Sequence, residues 1–392
     1  IFIGNIDSKD KAQVIAGNEK VVRPRLADAE FFFLQDQKQP LFALTDNLKN
    51  RIFQDKLGTI WDKSERIAKL AAFIATQIGA DVEQTARAGL LSKADLASTL
   101  VGEFPELQGI AGTYYARLNQ EPEAVAAAIE EQYLPKFSGD NLPATPIGTA
   151  LALADRLDTL VGIFGIDQAP TGSKDPFSLR RAAIGVLRIL IEKQLPLNLI
   201  VLLEQALLGY AGKIDDLSGT FKQVMAFINS RYRAMYEDQG MSVDTILAVQ
   251  ALQPQVPLDF DKRLKAVQAF RALPQAKQLA EANKRVANIL AKADVVVPQQ
   301  VNPAYLEAVA EQQLHQAVQQ AQQTIMPLQQ AQQTDYTQIL TVLTALQQPL
   351  DDFFEHVMVN SEDAHLKGNR LALLQQVRQL FLTVADISEL QL

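Results

Sequence analysis

The chain has 392 residues, of which 48% are hydrophobic, 21% are charged and none is cysteine. This composition is typical of a globular protein of two or three domains, and it excludes disordered, collagen-like and disulfide-stapled classes and thiolate metal sites. The formal net charge is −8, so a nucleic-acid partner requires a locally basic face. The sequence has no signal-like start and no apolar run of membrane length, which favours the cytoplasm and no membrane partner.

The first residues predict a short β remnant. Residues 1–6 and the pair Val14-Ile15 are rich in β-branched side chains, and Gly17-Asn18 is a turn signal. The chain begins without Met inside this apolar run. We therefore expect it to be a fragment of a longer protein.

Most of the remaining chain predicts helices, and the expected fold class is all-α. Apolar residues recur at spacings of three and four, with Gly, Pro or Asp at the segment ends. The helices predicted first cover residues 27–37, 40–57, 63–78 and 82–100, and a later helical block covers residues 180–233. A connector rich in Asp, Gln and Pro at 239–257 predicts a domain boundary.

The C-terminal third predicts helices with a glutamine surface. Residues 297–348 are rich in Gln, but their apolar residues keep a helical spacing, which favours helices over a disordered tract. After them comes an apolar helical pair joined by a polar loop. We expect Phe353, Phe354, Val357 and Met358 to lie in its core.

The clearest candidate site is a basic segment at residues 261–292. It carries eight Lys and Arg residues against Asp261 and Glu281. Helical spacing separates an apolar stripe from a cationic stripe, and such a cationic face attracts phosphates through charge neutralisation and counterion release. Asn288 adds hydrogen bonding to a base or sugar. The alternative is a solvated basic surface. The candidate tRNA-binding residues here are Arg271, Lys277, Lys284, Arg285, Asn288 and Lys292.

Two smaller basic groups are also candidates. Asp175 before Pro176 predicts an N-cap and a helix that begins at Pro176. The cations Lys174, Arg180 and Arg181 near that start make a candidate phosphate site, with capping and ion pairing as the alternative. Near the C-terminus, Lys367, Asn369 and Arg370 stand at a predicted helix start, where they face RNA or form a cap.

Carboxylates in the central helices are candidates for metal binding or acid-base chemistry, above all Asp155 and Asp158 at helical i, i+3 spacing. The other acidic candidates are Glu103, Glu106, Glu130, Glu131 and Asp140. The histidines His315, His356 and His365 all lie near the C-terminus, which excludes a His-rich metal site in the central helices. We expect each histidine to be a surface or capping group, and we predict neither a metal site nor a catalytic residue.

Several strings resemble the β-subunit family of bacterial heterotetrameric glycyl-tRNA synthetase. They are residues 17–32 (GNEKVVRPRLADAEFF), 53–59 (FQDKLGT), 102–109 (GEFPELQG), 154–164 (ADRLDTLVGIF), 170–177 (PTGSKDPF) and 369–371 (NRL). Their order and spacing span nearly the whole chain. Members of this family are considerably longer, so the resemblance implies a C-terminal fragment that lacks the N-terminal half.

The resemblance implies a domain order and a division of labour. Residues 1–49 would be the remnant and connecting helices, 50–212 an HD-like helical domain, 213–258 linker helices and 259–392 a helical anticodon-binding domain. The family assigns glycine activation, with ATP and Mg, to the α subunit of an α2β2 heterotetramer and the binding of glycine tRNA to β. This chain would then be a ligase subunit portion with no catalytic residue and no cofactor of its own, and with no DNA partner.

Two other functions remain open at this point. A metal-dependent HD-type phosphohydrolase would use Asp155 and Asp158. The family pattern commonly has Glu-His-Tyr where this chain has Glu131-Gln132-Tyr133, and Gln is a poor metal ligand, so we expect the two Asp residues to pair with Lys or Arg or to cap backbone groups. A scaffold that mainly docks the α subunit is the other function.

Overall fold

The computed structural model describes residues 9–331 and 334–392, and these form two compact units. Unit 1 contains the residues up to Lys193 together with Ile200–Ile228, and unit 2 contains Gln194–Leu199 and Asn229–Leu392. Helices dominate both units, which confirms the all-α fold class. None of the described helices is long and apolar enough to cross a membrane. The four-part division by family domain stays a prediction.

Unit 1 is built from short helices and one small hairpin. Its elements are α1 (Lys11–Asp36), α2 (Thr45–Leu48), β1 (Ile52–Gln54), β2 (Gly58–Thr59), α3 (Ile60–Ile78), α4 (Val82–Leu91), α5 (Thr99–Glu103), α6 (Ile110–Leu118), α7 (Glu123–Glu131), α8 (Pro146–Gly165), α9 (Leu179–Glu192) and α10 (Leu199–Leu208), whose first residue belongs to unit 2. Helix α11 (Leu217–Glu237) begins in unit 1 and ends in unit 2. Short 3₁₀ turns cover Leu41–Leu44, Ala94–Ala97 and Pro105–Leu107.

Helix α8 is the centre of unit 1. It contacts α3, α7 and α9, and nearly all its residues between Ile147 and Phe164 are buried. A helix that is apolar on every side is stable only when other helices surround it. Thr145 begins it as an N-cap, with its hydroxyl accepting the backbone N–H of Gly148 at 3.0 Å, and Pro146 follows at the first helical position. Asp155 and Asp158 are therefore held inside the unit.

Unit 2 is a bundle of the remaining helices. They are α12 (Val243–Gln250), α13 (Pro257–Arg271), α14 (Ala276–Ala291), α15 (Val309–Gln330), α16 (Tyr336–Leu343), α17 (Gln347–His356) and α18 (Ala364–Leu382), with 3₁₀ turns at Pro303–Tyr305, Thr344–Leu346 and Ile387–Glu389. Its core contains the fully buried rings of Phe260, Phe270, Phe353 and Phe381. The predicted glutamine-surfaced helices are confirmed in α15, where Leu314, Val318 and Ile325 are buried and the described glutamines lie outside.

The β remnant is where the sequence prediction fails. Residues 1–6 lie outside the described residues, but Val14-Ile15 and the Gly17-Asn18 turn signal are part of α1. Asp10 caps this helix by accepting the N–H of Gln13, and the Asn18 amide donates to the carbonyl of Val14 inside it. Two β-branched residues are too few to override a capped helix.

The only strands in the described chain lie elsewhere, and they correct the predicted helix at 40–57. Its second half forms the β1–β2 hairpin, with Ile52 opposite Thr59. Gly58 sits at φ +96°, a conformation that L-residues rarely adopt. Thr59 then begins α3 through a capping box with Asp62.

Candidate nucleic-acid interface

A cationic groove runs between α14 and α18 in unit 2. Its volume is about 410 Å³. Helix α14 buries Leu279, Ala282 and Val286 against the unit, so the opposite face, two and five residues further along, is left to solvent. The lining residues are Glu281, Lys284, Arg285, Asn288, Ile289, Lys292, Ala293, Asn360, Lys367 and Leu371. Five of the residues proposed from the sequence therefore meet in one place, with a single carboxylate beside them.

Three of these side chains have no protein partner. Lys284, Asn288 and Lys292 are exposed, and they make no hydrogen bond or ion pair with any residue of the described ranges. Lys367 lies on the opposite wall and pairs with Asp294 at 2.5 Å. Unpaired ammonium groups on one helix face can each neutralise a phosphate without first breaking a contact within the protein.

Arg285 forms a different kind of surface. Its guanidinium lies over the ring of Phe354, 4.0 Å from the ring centroid. The pair borders a second hollow of about 410 Å³ on the other side of Arg285, which also contains Glu281, Asp351 and Glu355. A planar guanidinium held on an aromatic ring can stack under a base or bind a phosphate with two parallel hydrogen bonds.

The other predicted tRNA-binding residues lie outside the groove. Arg271 donates to Asp244 at 2.5 Å and to the carbonyl of Gln391 at 3.4 Å. Arg370 donates to the fully buried Glu311 at 2.5 Å and to the carbonyl of Met358. Asn369 is buried and exchanges hydrogen bonds with the backbone of Asn302. Lys277 is exposed on α14 but does not line the groove.

The structure does not bring Lys174, Arg180 and Arg181 into one phosphate site. Asp175 accepts the backbone N–H groups of Leu179 at 2.8 Å and Arg180 at 3.0 Å, so it does cap a helix. The helix begins at Leu179, however, and the predicted start at Pro176 is wrong. The side chain of Arg180 donates to the carbonyl of Gly172 at 2.6 Å, and only Arg181 lines a cavity.

Asp155 and Asp158 pair with cations, as the sequence predicted. Lys63 lies 3.0 Å from both carboxylates, Lys93 lies 3.0 Å from Asp155, and Arg66 donates to Asp158 at 2.7 Å. Burial alone would raise the pKa of Asp155, but Lys63 and Lys93 together lower it below its ordinary value. The residues described contain no group of three or more His, Asp or Glu that could hold a metal ion.

The remaining acidic and histidine candidates fit structural roles. Glu131 accepts the backbone N–H groups of Ala144 and Thr145 just before α8, and Asp140 accepts that of Lys136. His365 stacks on Tyr305, with ring centroids 5.7 Å apart. No contact of these residues with one another points to catalysis.

Sequence reasoning missed Phe354 and Asn360 as parts of the interface. Phe354 was assigned to the core because it follows Phe353 in an apolar run, but only Phe353 is fully buried. Successive helical residues point about 100° apart, which was the available signal. Met358, also predicted as core, is 78% exposed.

Comparison with known proteins identifies the family. Residues 1–251 match the family model described as "Glycyl-tRNA synthetase beta subunit". This chain belongs to the glycyl-tRNA synthetase β-subunit family. Residues 279–388 also match the "DALR anticodon binding domain", and that range contains every residue lining the groove.

Curated members of the glycyl-tRNA synthetase β-subunit family are closely similar. The protein named "Glycine--tRNA ligase beta subunit" in Pseudomonas syringae pv. syringae is 57% identical over 388 residues, which is 99% of this chain and 56% of that protein. The protein of the same name in Acinetobacter baylyi is 58% identical over 391 residues, again 56% of its length. The chain thus spans a little over half the length of the relatives it matches.

Proposed function

We propose that this chain is the tRNA-binding portion of a glycine–tRNA ligase β subunit and that the α14–α18 groove contacts the anticodon region of glycine tRNA. One observation carries the proposal: the unpaired cations Lys284 and Lys292 and the Arg285–Phe354 stack lie within the range that matches an anticodon-binding domain. Binding of an anionic polymer by a chain of net charge −8 requires such a local cationic face.

The groove offers two kinds of contact with RNA. Lys284 and Lys292 are two helical turns apart on α14, so they follow a line of successive phosphates and fix its position. Arg285 on Phe354 and the amide of Asn288 supply stacking and hydrogen bonding, the means by which unpaired bases of a loop are read. Phosphate contacts give affinity here, and the second group gives the choice of base.

Catalysis is assigned to a partner in this proposal. An α subunit would activate glycine with ATP and Mg and transfer it, in a cytoplasmic α2β2 heterotetramer, and this chain would hold the tRNA for it. The name shared by the relatives, a β subunit of glycine–tRNA ligase, supports a partner of this kind. Residues 50–212 would form an HD-like scaffold, in which Lys63, Lys93 and Arg66 take the place of a metal at the Asp155–Asp158 pair.

The test is a binding titration of the chain with glycine tRNA and with the same tRNA altered only in its anticodon, each at low and near-physiological salt. We expect the intact anticodon to bind at least about tenfold more tightly, and the affinity for both RNAs to fall with salt. Equal binding of the two RNAs would contradict anticodon reading and leave a general cationic surface.

Variants then assign the binding to the groove. Lys284→Glu should weaken binding of both RNAs and reduce the salt dependence by about one phosphate contact. Lys69→Glu is the matched control, because Lys69 is an exposed helical lysine of unit 1 without a partner among the residues described. If both variants bind as the parent does, the proposal for the groove fails and docking of the α subunit becomes the main role.

A further inference from the structure

Unit 1 contains a cavity that the proposed function does not use. Its volume is about 600 Å³, within the range of roughly 300–1,000 Å³ that is typical of small-molecule sites. It lies between α8, the start of α9 and the loop that follows α7. Its charged and aromatic walls contain Glu106, Tyr133, Lys136, Arg156, Phe177 and Arg181.

A buried guanidinium forms one wall of this cavity. Arg156 is only 9% exposed, and it donates to the carbonyl oxygens of Gln132 at 2.9 Å, Tyr133 at 3.2 Å and Pro135 at 3.1 Å. It has no carboxylate within ion-pair distance in the described parts of the chain. Burial lowers its pKa to about 10, so it remains charged at neutral pH. Buried charges are normally paired, and this one is hydrogen-bonded but not neutralised.

Two further cations stand at the rim. Lys136 and Arg181 are exposed, and neither side chain has a hydrogen-bond or ion-pair partner among residues 9–331 and 334–392. The carboxylates nearby do not cancel this charge, because Asp155 is already matched by Lys63 and Lys93, which leaves only Glu106. The cavity therefore has an excess of positive charge.

The floor offers polar groups that lack partners. Gln132 is fully buried and lines the cavity, and its Nε2 donates to the carbonyls of Ser92 and Ile129. Its Oε1 atom accepts no hydrogen bond, and the buried hydroxyl of Tyr133 also has no partner in the structure. Unsatisfied buried polar atoms are costly, and a ligand with hydrogen-bond donors and acceptors beyond an anionic group would satisfy them.

We infer that this cavity is a binding site for a phosphate ester of about mononucleotide size. The anionic group binds Arg181 and Lys136 next to the buried charge of Arg156, and the rest of the molecule reaches the amide oxygen of Gln132 and the hydroxyl of Tyr133. The phosphate ester can be a free nucleotide or the phosphorylated end of an RNA. The volume is larger than inorganic phosphate alone requires.

Calorimetric titration of the complete chain with AMP, and with adenosine as the probe without phosphate, tests the inference. We expect AMP to bind and adenosine to bind at least about tenfold more weakly. Arg181→Glu and Lys136→Glu should each weaken AMP binding at least about tenfold, because each places a carboxylate beside the phosphate. Lys69→Glu, on an exposed face of α3, is the matched control and should leave AMP binding unchanged.

A second arm separates the two sources of the phosphate ester. If AMP does not bind at up to about 5 mM but Arg181→Glu and Lys136→Glu weaken tRNA binding and Lys69→Glu does not, the ligand is an RNA phosphate. If neither AMP nor tRNA responds to either variant while circular dichroism shows both folded, the inference is overturned. Lys284→Glu in unit 2 should not change AMP binding, so failure of the groove proposal is distinguishable from failure of this one.

Discussion

The guanidinium of Arg285 lies 4.0 Å from the ring centroid of Phe354, which joins the exposed face of α14 to α17. The ring holds one face of the guanidinium, and no hydrogen bond or ion pair occupies its donors within the residues described. The cation is thus positioned before any RNA arrives. Pre-positioning of this kind reduces the side-chain entropy lost on binding.

Conservative changes at this pair should separate charge from stacking. Arg285→Lys keeps the positive charge but loses the planar group, and we expect tRNA binding to weaken by about three- to tenfold. Phe354→Leu should give a similar loss, because the platform under the guanidinium disappears while an apolar side chain is retained. Filter binding at one fixed salt concentration measures both. Unchanged binding by Arg285→Lys would mean that Arg285 contributes charge alone.

Arg370 should behave as a structural residue. Its partner Glu311 is fully buried in α15, and Arg370→Ala would leave that carboxylate without its cation. We expect the free energy of unfolding to fall by roughly 3–5 kcal/mol, as is typical when one partner of a buried ion pair is removed. Urea unfolding measures this. Arg285→Ala is the matched control and should cost much less stability. An Arg370→Ala chain with parental stability but weaker tRNA binding would instead return Arg370 to the interface.

The sequence was informative where a short-range pattern decides the structure. The spacing of Lys284, Asn288 and Lys292 against buried Leu279 and Val286 follows from helical geometry alone, and the structure places these residues on the expected faces.

The sequence was not informative where the partner is remote. Arg271 and Arg370 are as basic as Lys284, but they are held by Asp244 and Glu311, which lie 27 and 59 residues away along the chain. Nothing in the local pattern shows that pairing. The cavity of unit 1 was equally hidden, because Lys136, Arg156 and Arg181 come together only through the packing of α8 and α9.

Asp244 should make the stability of the chain sensitive to acid. Burial alone would raise the pKa of Asp244, but hydrogen bonds from Ser242, from the backbone of Gln391 and from Arg271 outweigh it and lower the pKa to about 2. The unfolded value is about 3.9, so the stabilisation is fully present above about pH 4 and is lost as the pH falls towards 2.

The expected size of this effect is about 2 kcal/mol. Urea unfolding of the parent and of Asp244→Asn from pH 6 to pH 2.5 measures it. The difference in unfolding free energy between the two chains should shrink across the acid range, because only the parent loses a charge there. A constant difference would show that Asp244 does not titrate in this window.

Gly89 should be needed for the close packing of α4 on α3. A Cβ added at Gly89 would lie 2.4 Å from the main-chain Cα of Ala68, and main chain cannot move aside as a flexible side chain can. Gly89→Ala should therefore destabilise the chain by roughly 1–3 kcal/mol. Gly17→Ala in α1 is the matched control, since nothing lies within 4 Å of its Cβ and alanine favours a helix by about 0.5–1 kcal/mol over glycine. Urea unfolding of both variants should move in opposite directions, and a stable Gly89→Ala chain would mean that the two helices can separate without cost.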